Sequence, residues 1–215
     1  MGKLAMGILG GFSGTVGTVI GSVNKNGDDI IRVKSKKPRT SQTEAQINQR
    51  TKFGLVTQFM KPLNPILKVG FAGVTPVSMS PYNYACMLAL NKAITGTAPD
   101  IELDYSMIRI SEGSLAQVVK PTAQLVNGEV KFVWSNNSES SSGDITDQAI
   151  LVVYNANNSQ YSYSIGKTTR EALGGTLALP NHEAGDQLQV FLFFKSASGT
   201  EVSTSQYLGT ITISE

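Results

Sequence analysis

The densest glycine run of the chain lies near its N-terminus, where residues 7–21 read Gly-Ile-Leu-Gly-Gly-Phe-Ser-Gly-Thr-Val-Gly-Thr-Val-Ile-Gly. Glycine lets two backbones approach closely and adopts positive φ, but it loses much conformational entropy on folding. Such a segment becomes ordered only when something packs on it. We therefore predict tight backbone packing here, within one subunit or between subunits. The candidate interface residues in this run are Gly10, Gly11, Phe12, Gly14, Gly17 and Gly21.

The sequence that flanks the glycine run argues against nucleotide binding. A phosphate-binding loop follows a strand, opens a helix and usually carries a lysine. No strand is predicted before residue 7, and the run continues into a β-hairpin whose turn is indicated by Asn26-Gly27. The run predicts packing and no phosphate site.

The glycines also argue against a signal peptide, because they interrupt any apolar helix that follows Lys3. No apolar run of the sequence approaches the ~18–20 residues that a membrane span needs. We expect a cytoplasmic location by default and no membrane span, and any export would follow a route that the sequence does not indicate.

Charge is divided unevenly along the chain. Residues 1–100 carry 12 basic and 4 acidic side chains, a net charge of +8, whereas residues 101–215 carry 6 and 12, a net charge of −6. Such asymmetry indicates either a polyanion partner for the basic half or attraction between the halves of neighbouring copies. The candidate polyanion contacts are Arg32, Lys34, Lys36, Lys37 and Arg39. Because no aromatic side chain for base stacking lies between Phe12 and Phe53, a structural role is favoured over nucleic-acid binding.

The N-terminal part is predicted to be an α+β domain over residues 1–111, with a β-hairpin at 15–35, two or three helices and a strand at 101–111. Ser41 and Glu44 form a capping box that begins a helix over 41–60. Ser80-Pro81 begins a second helix over 81–94. A further turn or short helix is expected between residues 63 and 71.

The C-terminal part, residues 112–215, is predicted to be an antiparallel β-sandwich, since seven short strands separated by turn-rich segments are typical of that fold. The predicted strands are 115–125, 129–135, 148–155, 160–165, 174–179, 187–195 and 202–213. Within 188–195, Phe191 and Phe193 fall on the opposite face from Leu188, Val190, Leu192 and Phe194. A two-layer sandwich buries one face of each strand, so Phe191 and Phe193 need cover from the N-terminal half or from another copy. They are therefore candidate interface residues as well.

This C-terminal part resembles a fibronectin type III module. Trp134 in Val130-Lys-Phe-Val-Trp corresponds to the core tryptophan of the second strand, and Tyr154 corresponds to the tyrosine of the third strand. Phe194-Lys-Ser-Ala-Ser-Gly-Thr-Glu-Val-Ser resembles the end of the sixth strand with its turn. Val190 departs from the pattern, because it stands where a tyrosine-corner residue is expected.

The whole chain also resembles an uncharacterised family of Bacteroidota proteins, a domain of unknown function. The resemblance rests on the Gly-rich motif, then on Ile31-Arg32, Pro38-Arg39-Thr40, Thr43-Glu-Ala-Gln46, Gln49-Arg-Thr-Lys-Phe53, Ala93-Ile-Thr-Gly-Thr97 and Leu151-Val-Val-Tyr-Asn155. It implies no activity.

Residues suited to catalysis or metal binding are few. His182 is the single histidine and Cys86 the single cysteine, so neither a catalytic triad nor a zinc site is indicated. Asp28-Asp29 fits a polar turn better than a cation site, and Asp144 and Asp147 lack calcium-loop spacing. We expect no enzyme activity, no cofactor and no metal.

The sequence predicts a structural or interaction protein that self-associates head-to-tail, the basic half of one copy meeting the acidic sandwich of the next in rings or filaments. Two alternatives stay open. One is a fibronectin-like binding module for protein or carbohydrate, and the other is nucleic-acid binding by the basic half.

Overall fold

The computed structural model describes residues 3–4, 11–24, 27–35, 43–76, 78–97, 99–135, 137 and 142–214. The chain divides into two compact units, Met1–Thr43 and Glu44–Glu215. This division differs from the boundary expected after residue 111. Its physical reason is that the helices after residue 43 share a hydrophobic core with the β-sandwich.

The first unit contains a four-stranded antiparallel sheet whose strands follow one another in chain order. Its strands are β1 (Lys3–Leu4), β2 (Phe12–Val16), β3 (Val19–Val23) and β4 (Asp29–Val33). The predicted hairpin corresponds to β3 and β4. Its turn residue Asn26 lies outside the described residues, and Gly27 has a φ of +88°.

Three helices open the second unit: α1 (Glu44–Met60), α2 (Asn64–Gly70) and α3 (Pro81–Lys92). The hydroxyl of Ser80 accepts a hydrogen bond from the N–H of Asn83 at 3.2 Å, and Pro81 takes the first helical position, as the sequence predicts. Ser41 of the predicted capping box lies outside the described residues. No helix in the described ranges is both long and apolar enough to cross a bilayer.

The strand predicted at 101–111 is wrong. After α3 come two short strands that pair with each other, β5 (Ile94–Thr95) and β6 (Glu102–Leu103), and then a 3-10 turn over Tyr105–Met107. The carboxylate of Asp104 accepts the N–H of Ser106 at 3.0 Å. Local bonding of this kind competes with a strand ladder and ends β6.

Two antiparallel sheets form the rest of the second unit. Their strands are β7 (Val119–Val126), β8 (Glu129–Ser135), β9 (Gln148–Asn155), β10 (Gln160–Thr169), β11 (Gly174–Ala178), β12 (Gln187–Lys195) and β13 (Gln206–Thr212). One sheet has the order β11-β8-β7 and the other β10-β9-β12-β13. Side chains from both sheets, among them Phe132, Trp134 and Phe194, form one buried cluster. The seven predicted strands correspond to these seven.

The sheet β10-β9-β12-β13 is covered on both faces. Its inner face meets the other sheet, and its outer face packs against the helices through a second buried cluster. That cluster joins Val56 and Phe59 of α1 to Tyr154 of β9 and Phe191 of β12. The second unit is therefore a three-layer structure with two hydrophobic cores.

Candidate interaction surfaces

One face of the N-terminal sheet is apolar and exposed. Residues directly opposite in neighbouring strands share a face, and the register pairs Val16 with Val19 and Val19 with Val33. The same face takes Val23, Ile31 and the carboxylate of Asp29, which lies opposite Val23 at one end. The ring of Phe12 lies against Gly21 on this face. We call the set Phe12, Val16, Val19, Val23, Ile31 and Val33 the apolar face. Ile31 is 66% exposed and Val33 77%, so this face keeps much of its apolar area in contact with water.

Two of the glycines predicted as interface residues have a role within the sheet. A Cβ on Gly21 would lie 2.1 Å from the carbonyl oxygen of Phe12, so only glycine fits there. Gly17 has a φ of +58° in the turn between β2 and β3. Gly14 lies opposite Gly21. Gly10 lies outside the described residues. Close packing within one unit accounts for Gly21 and the turn conformation for Gly17.

The basic residues lie on the other face where they are described. Arg32 alternates with Ile31 and Val33 along β4, and it pairs with Ile20 of β3. Lys34 continues the alternation and donates its backbone N–H to the carbonyl of Thr18 at 2.7 Å. The other candidate polyanion contacts, Lys36, Lys37 and Arg39, lie outside the described residues. The sheet thus has one mainly apolar face, with Asp29 at its end, and a second face on which Arg32 lies with Ile20 and Ile30.

The outer edge of β4 is open within the described ranges, where β4 pairs with β3 alone. The N–H of Asn24 donates to the carbonyl of Asp28 at 3.0 Å, so even-numbered residues such as Asp28 and Lys34 direct their backbone groups toward β3. In an antiparallel ladder the alternate residues point away. Asp29, Ile31 and Val33 therefore present their N–H and C=O groups to solvent.

Phe191 and Phe193 are not available as an interface, which corrects that prediction. Both side chains are fully buried, because the helical layer covers the face of β12 on which they lie. The ring of Phe59 in α1 lies 6.3 Å from that of Phe191 and 4.9 Å, edge to face, from that of Tyr154. The cover comes from within the chain, one of the two possibilities that the sequence left open.

Tyrosines complete this buried cluster. The hydroxyl of Tyr161 donates to the backbone carbonyl of Phe59. Burial raises the pKa of both Tyr105 and Tyr161, with the nearby Tyr154 adding to the effect. These phenols stay neutral and act as packing groups between sheet and helices.

A buried ion pair in the sandwich was missed by the sequence analysis. Nε of Arg170 lies 3.1 Å from a carboxylate oxygen of Asp147, and its guanidinium stacks 4.4 Å from the ring centre of Phe194. Its other nitrogens donate to Oδ1 of Asn137 at 2.9 Å and to the carbonyl of Ala116 at 2.8 Å. No motif surrounds Arg170 in the sequence. Because every guanidinium nitrogen is engaged, the pair fixes the loops at one end of the sandwich.

The second unit also contains a cleft of about 630 Å³ with a mixed polar and apolar lining. Glu112 and Glu201 line it together with Tyr84 and Ser114. Glu112 accepts a hydrogen bond from Arg109 at 2.9 Å, and Ser114 donates to Glu201 at 3.4 Å. Carboxylates and hydroxyls of this kind suit a ligand with several hydroxyl or amino groups.

The residues considered for catalysis or metal binding lie apart. Nδ1 of His182 lies 2.9 Å from the carbonyl oxygen of Pro180 within its own loop. Cys86 is buried, and burial raises the pKa of its thiol. Asp144 caps a turn by accepting two bonds from Thr146. Within the described ranges, no three His, Cys, Asp or Glu side chains are grouped as metal ligands.

Together these features define an α+β protein rich in antiparallel sheet, with an exposed N-terminal sheet and a helix-covered β-sandwich. A family model matches residues 11–209, and the chain belongs to that family, DUF6266, a family of unknown function. No curated protein matches the chain.

Proposed function

We propose that this chain is a non-enzymatic structural or interaction protein that self-associates through its N-terminal unit. The observation that supports this most is the apolar face. A contiguous set of large apolar side chains exposed on a monomer marks an interaction site, because their burial is the main source of association energy.

Charge supports a head-to-tail arrangement of copies. Residues 1–43 carry seven basic and two acidic side chains, a net charge of +5, whereas residues 44–215 carry 11 and 14, a net charge of −3. Opposite net charges steer the N-terminal unit of one copy toward the second unit of the next. If the rotation between copies does not close, such contacts produce filaments, and otherwise rings.

Light scattering and negative-stain electron microscopy on the full-length protein test the proposal, at about 0.05 M and about 0.5 M salt because salt screens charge attraction. We expect masses above that of the monomer, decreasing at high salt. Val16→Ser and Val23→Ser should lower the mass, since both remove exposed apolar area from the apolar face. Val133→Ser, at an exposed valine of β8, is the matched control. A monomer at every concentration and salt overturns the proposal.

A second candidate is a fibronectin type III-like binding module. Two observations support it. A three-stranded and a four-stranded sheet pack around the buried Trp134, as in a fibronectin type III module. The cleft lined by Glu112 and Glu201 has room for a ligand. Fold alone does not specify function, so the cleft has to be tested directly. A glycan array and a pull-down test this candidate, and ligand capture by the wild-type chain is compared with capture by Glu201→Gln. Loss of a captured ligand in that variant supports the module, and blank results in both assays remove it.

Nucleic-acid binding by the basic face is the third candidate. It predicts affinity at about 0.05 M salt that falls steeply as salt is added. Arg32→Ser and Lys34→Ser should each weaken such binding. Absence of binding at low salt excludes it.

A further inference from the structure

The open edge of β4 suits one occupant particularly well. Asp29, Ile31 and Val33 present three N–H and three C=O groups outward, and every side chain of the strand is exposed. An extended segment of another chain can add to such an edge by main-chain hydrogen bonds.

We infer that two copies of the chain pair antiparallel through their β4 edges, with Ile31 opposite Ile31 of the second copy. The inference rests on the proposed function, because it names one surface through which copies join. The contact is isologous and therefore closes on itself, so it produces a pair and not a fibre. Head-to-tail contacts would then link such pairs.

Charge favours this register. Centred on Ile31, the pairing places Asp28 opposite Lys34 of the second copy, and the same attraction recurs at the other end. Both side chains are exposed, and Asp28 lies at the turn end of β4 while Lys34 follows its other end.

The neighbouring registers are worse. Centring the pair on Arg32 places two guanidinium groups opposite each other, a destabilising arrangement of like charges. Centring it on Ile30 also places opposite charges together, Asp28 and Arg32, but it pairs only residues 29–31 of the strand with each other and leaves Val33 opposite the turn. The register centred on Ile31 uses the whole of β4, from Asp29 to Val33.

The pairing also explains how an open edge can favour a copy of the same chain over other strands. Lysine and arginine on an edge strand discourage pairing with arbitrary strands. Here Asp28 of the second copy compensates Lys34, so a copy of the same chain is favoured over other strands. The apolar faces of both copies then lie on one side of a continuous sheet.

Cysteine cross-linking tests the register. Residues that form a hydrogen-bonded antiparallel pair have Cα atoms about 5.5 Å apart, within the range that a disulfide spans. In full-length protein carrying Cys86→Ala, Ile31→Cys should form a disulfide-linked dimer under mild oxidation on the order of tenfold faster than Ile30→Cys. Ile30 is the matched control, because it is an exposed isoleucine of the same strand. Equal cross-linking of the two variants overturns the inference.

Charge reversal gives a second measurement. Lys34→Asp alone and Asp28→Lys alone should each weaken the dimer about tenfold, because each creates two like-charged pairs. Mixing the two variants should restore it, since every pair then has opposite charges. Circular dichroism shows whether each variant keeps its fold.

The outcomes separate this inference from the proposed function. If the wild-type chain associates but Ile31→Cys cross-links no faster than Ile30→Cys, the β4 pairing is overturned and self-association stands. If the wild-type chain is a monomer throughout, both fail.

Discussion

The guanidinium of Arg170 lies 3.1 Å from the carboxylate of Asp147, and neither side chain is accessible to water beyond 2%. A buried pair of this kind is expensive to break, because removal of one partner leaves the other charged and unpaired. The pair joins the segment before β9 to the segment after β10.

Arg170→Met should lower the free energy of unfolding by about 3–5 kcal/mol, because it leaves the Asp147 carboxylate buried without its partner. Arg109→Met is the control, since Arg109 forms a pair with Glu112 at 2.9 Å that is only partly buried. Pairs that water reaches contribute about 1 kcal/mol or less. Urea denaturation measures both. Equal losses in the two variants would contradict the importance of burial.

Phe191→Ala should lower the free energy of unfolding by about 3–5 kcal/mol, since it opens a cavity between β12 and the helical layer. Phe53→Ala deletes the same atoms from a side chain of α1 that is 51% exposed, and it should cost well under half as much. The comparison measures whether the helices cover β12 in solution. Similar losses would show that they do not.

Gly70→Ala should destabilise the second unit by about 1–3 kcal/mol, because overpacking forces backbone to move. A Cβ at this position would lie 2.3 Å from the carbonyl oxygen of Ile110. Gly54→Ala is the matched control in α1, where a Cβ would meet nothing within 4 Å. There alanine should stabilise the helix by up to about 1 kcal/mol. In thermal unfolding, the midpoint temperature should therefore fall in Gly70→Ala and rise in Gly54→Ala.

Acid should destabilise the second unit through Asp186. The side-chain amide of Asn155, at 2.6 Å, and the N–H of Glu183 hold the pKa of Asp186 below its ordinary value of 3.8. A lowered pKa in the folded state means that the stabilisation is present above pH 3.8 and disappears as pH falls through the lower value. Asp186→Asn should lose less stability than the wild type on acidification from pH 6. Parallel pH profiles would argue against this role.

Much of the second unit is predictable from local pattern. The seven strands were expected near their observed positions, and the two faces of β12 were separated correctly, because alternation along a strand directly sets which side chains share a face. The N-cap of α3 followed from Ser80-Pro81 for the same local reason.

Long-range relationships were not predictable in the same way. Alternation showed that Phe191 needed cover, but it does not reveal which element provides it, since that depends on how distant segments meet. Arg170 carries no pattern at all, because its partners Asp147, Asn137 and Ala116 are distant in the chain. The strand expected at 101–111 failed because one side chain, Asp104, bonds its own backbone. The open edge of β4 could not be predicted either, because the residues that direct their backbone groups outward follow from the register between β3 and β4, and composition does not determine that register.

The burial of the β10-β9-β12-β13 sheet on both faces limits how this protein can evolve. In a two-layer β-sandwich the outer face of each sheet meets water and carries polar side chains. Here a transferred sandwich without α1, α2 and α3 would expose Phe191 and Phe193 and aggregate. We therefore expect the helices and the sandwich to be inherited together, as one block beginning near Glu44.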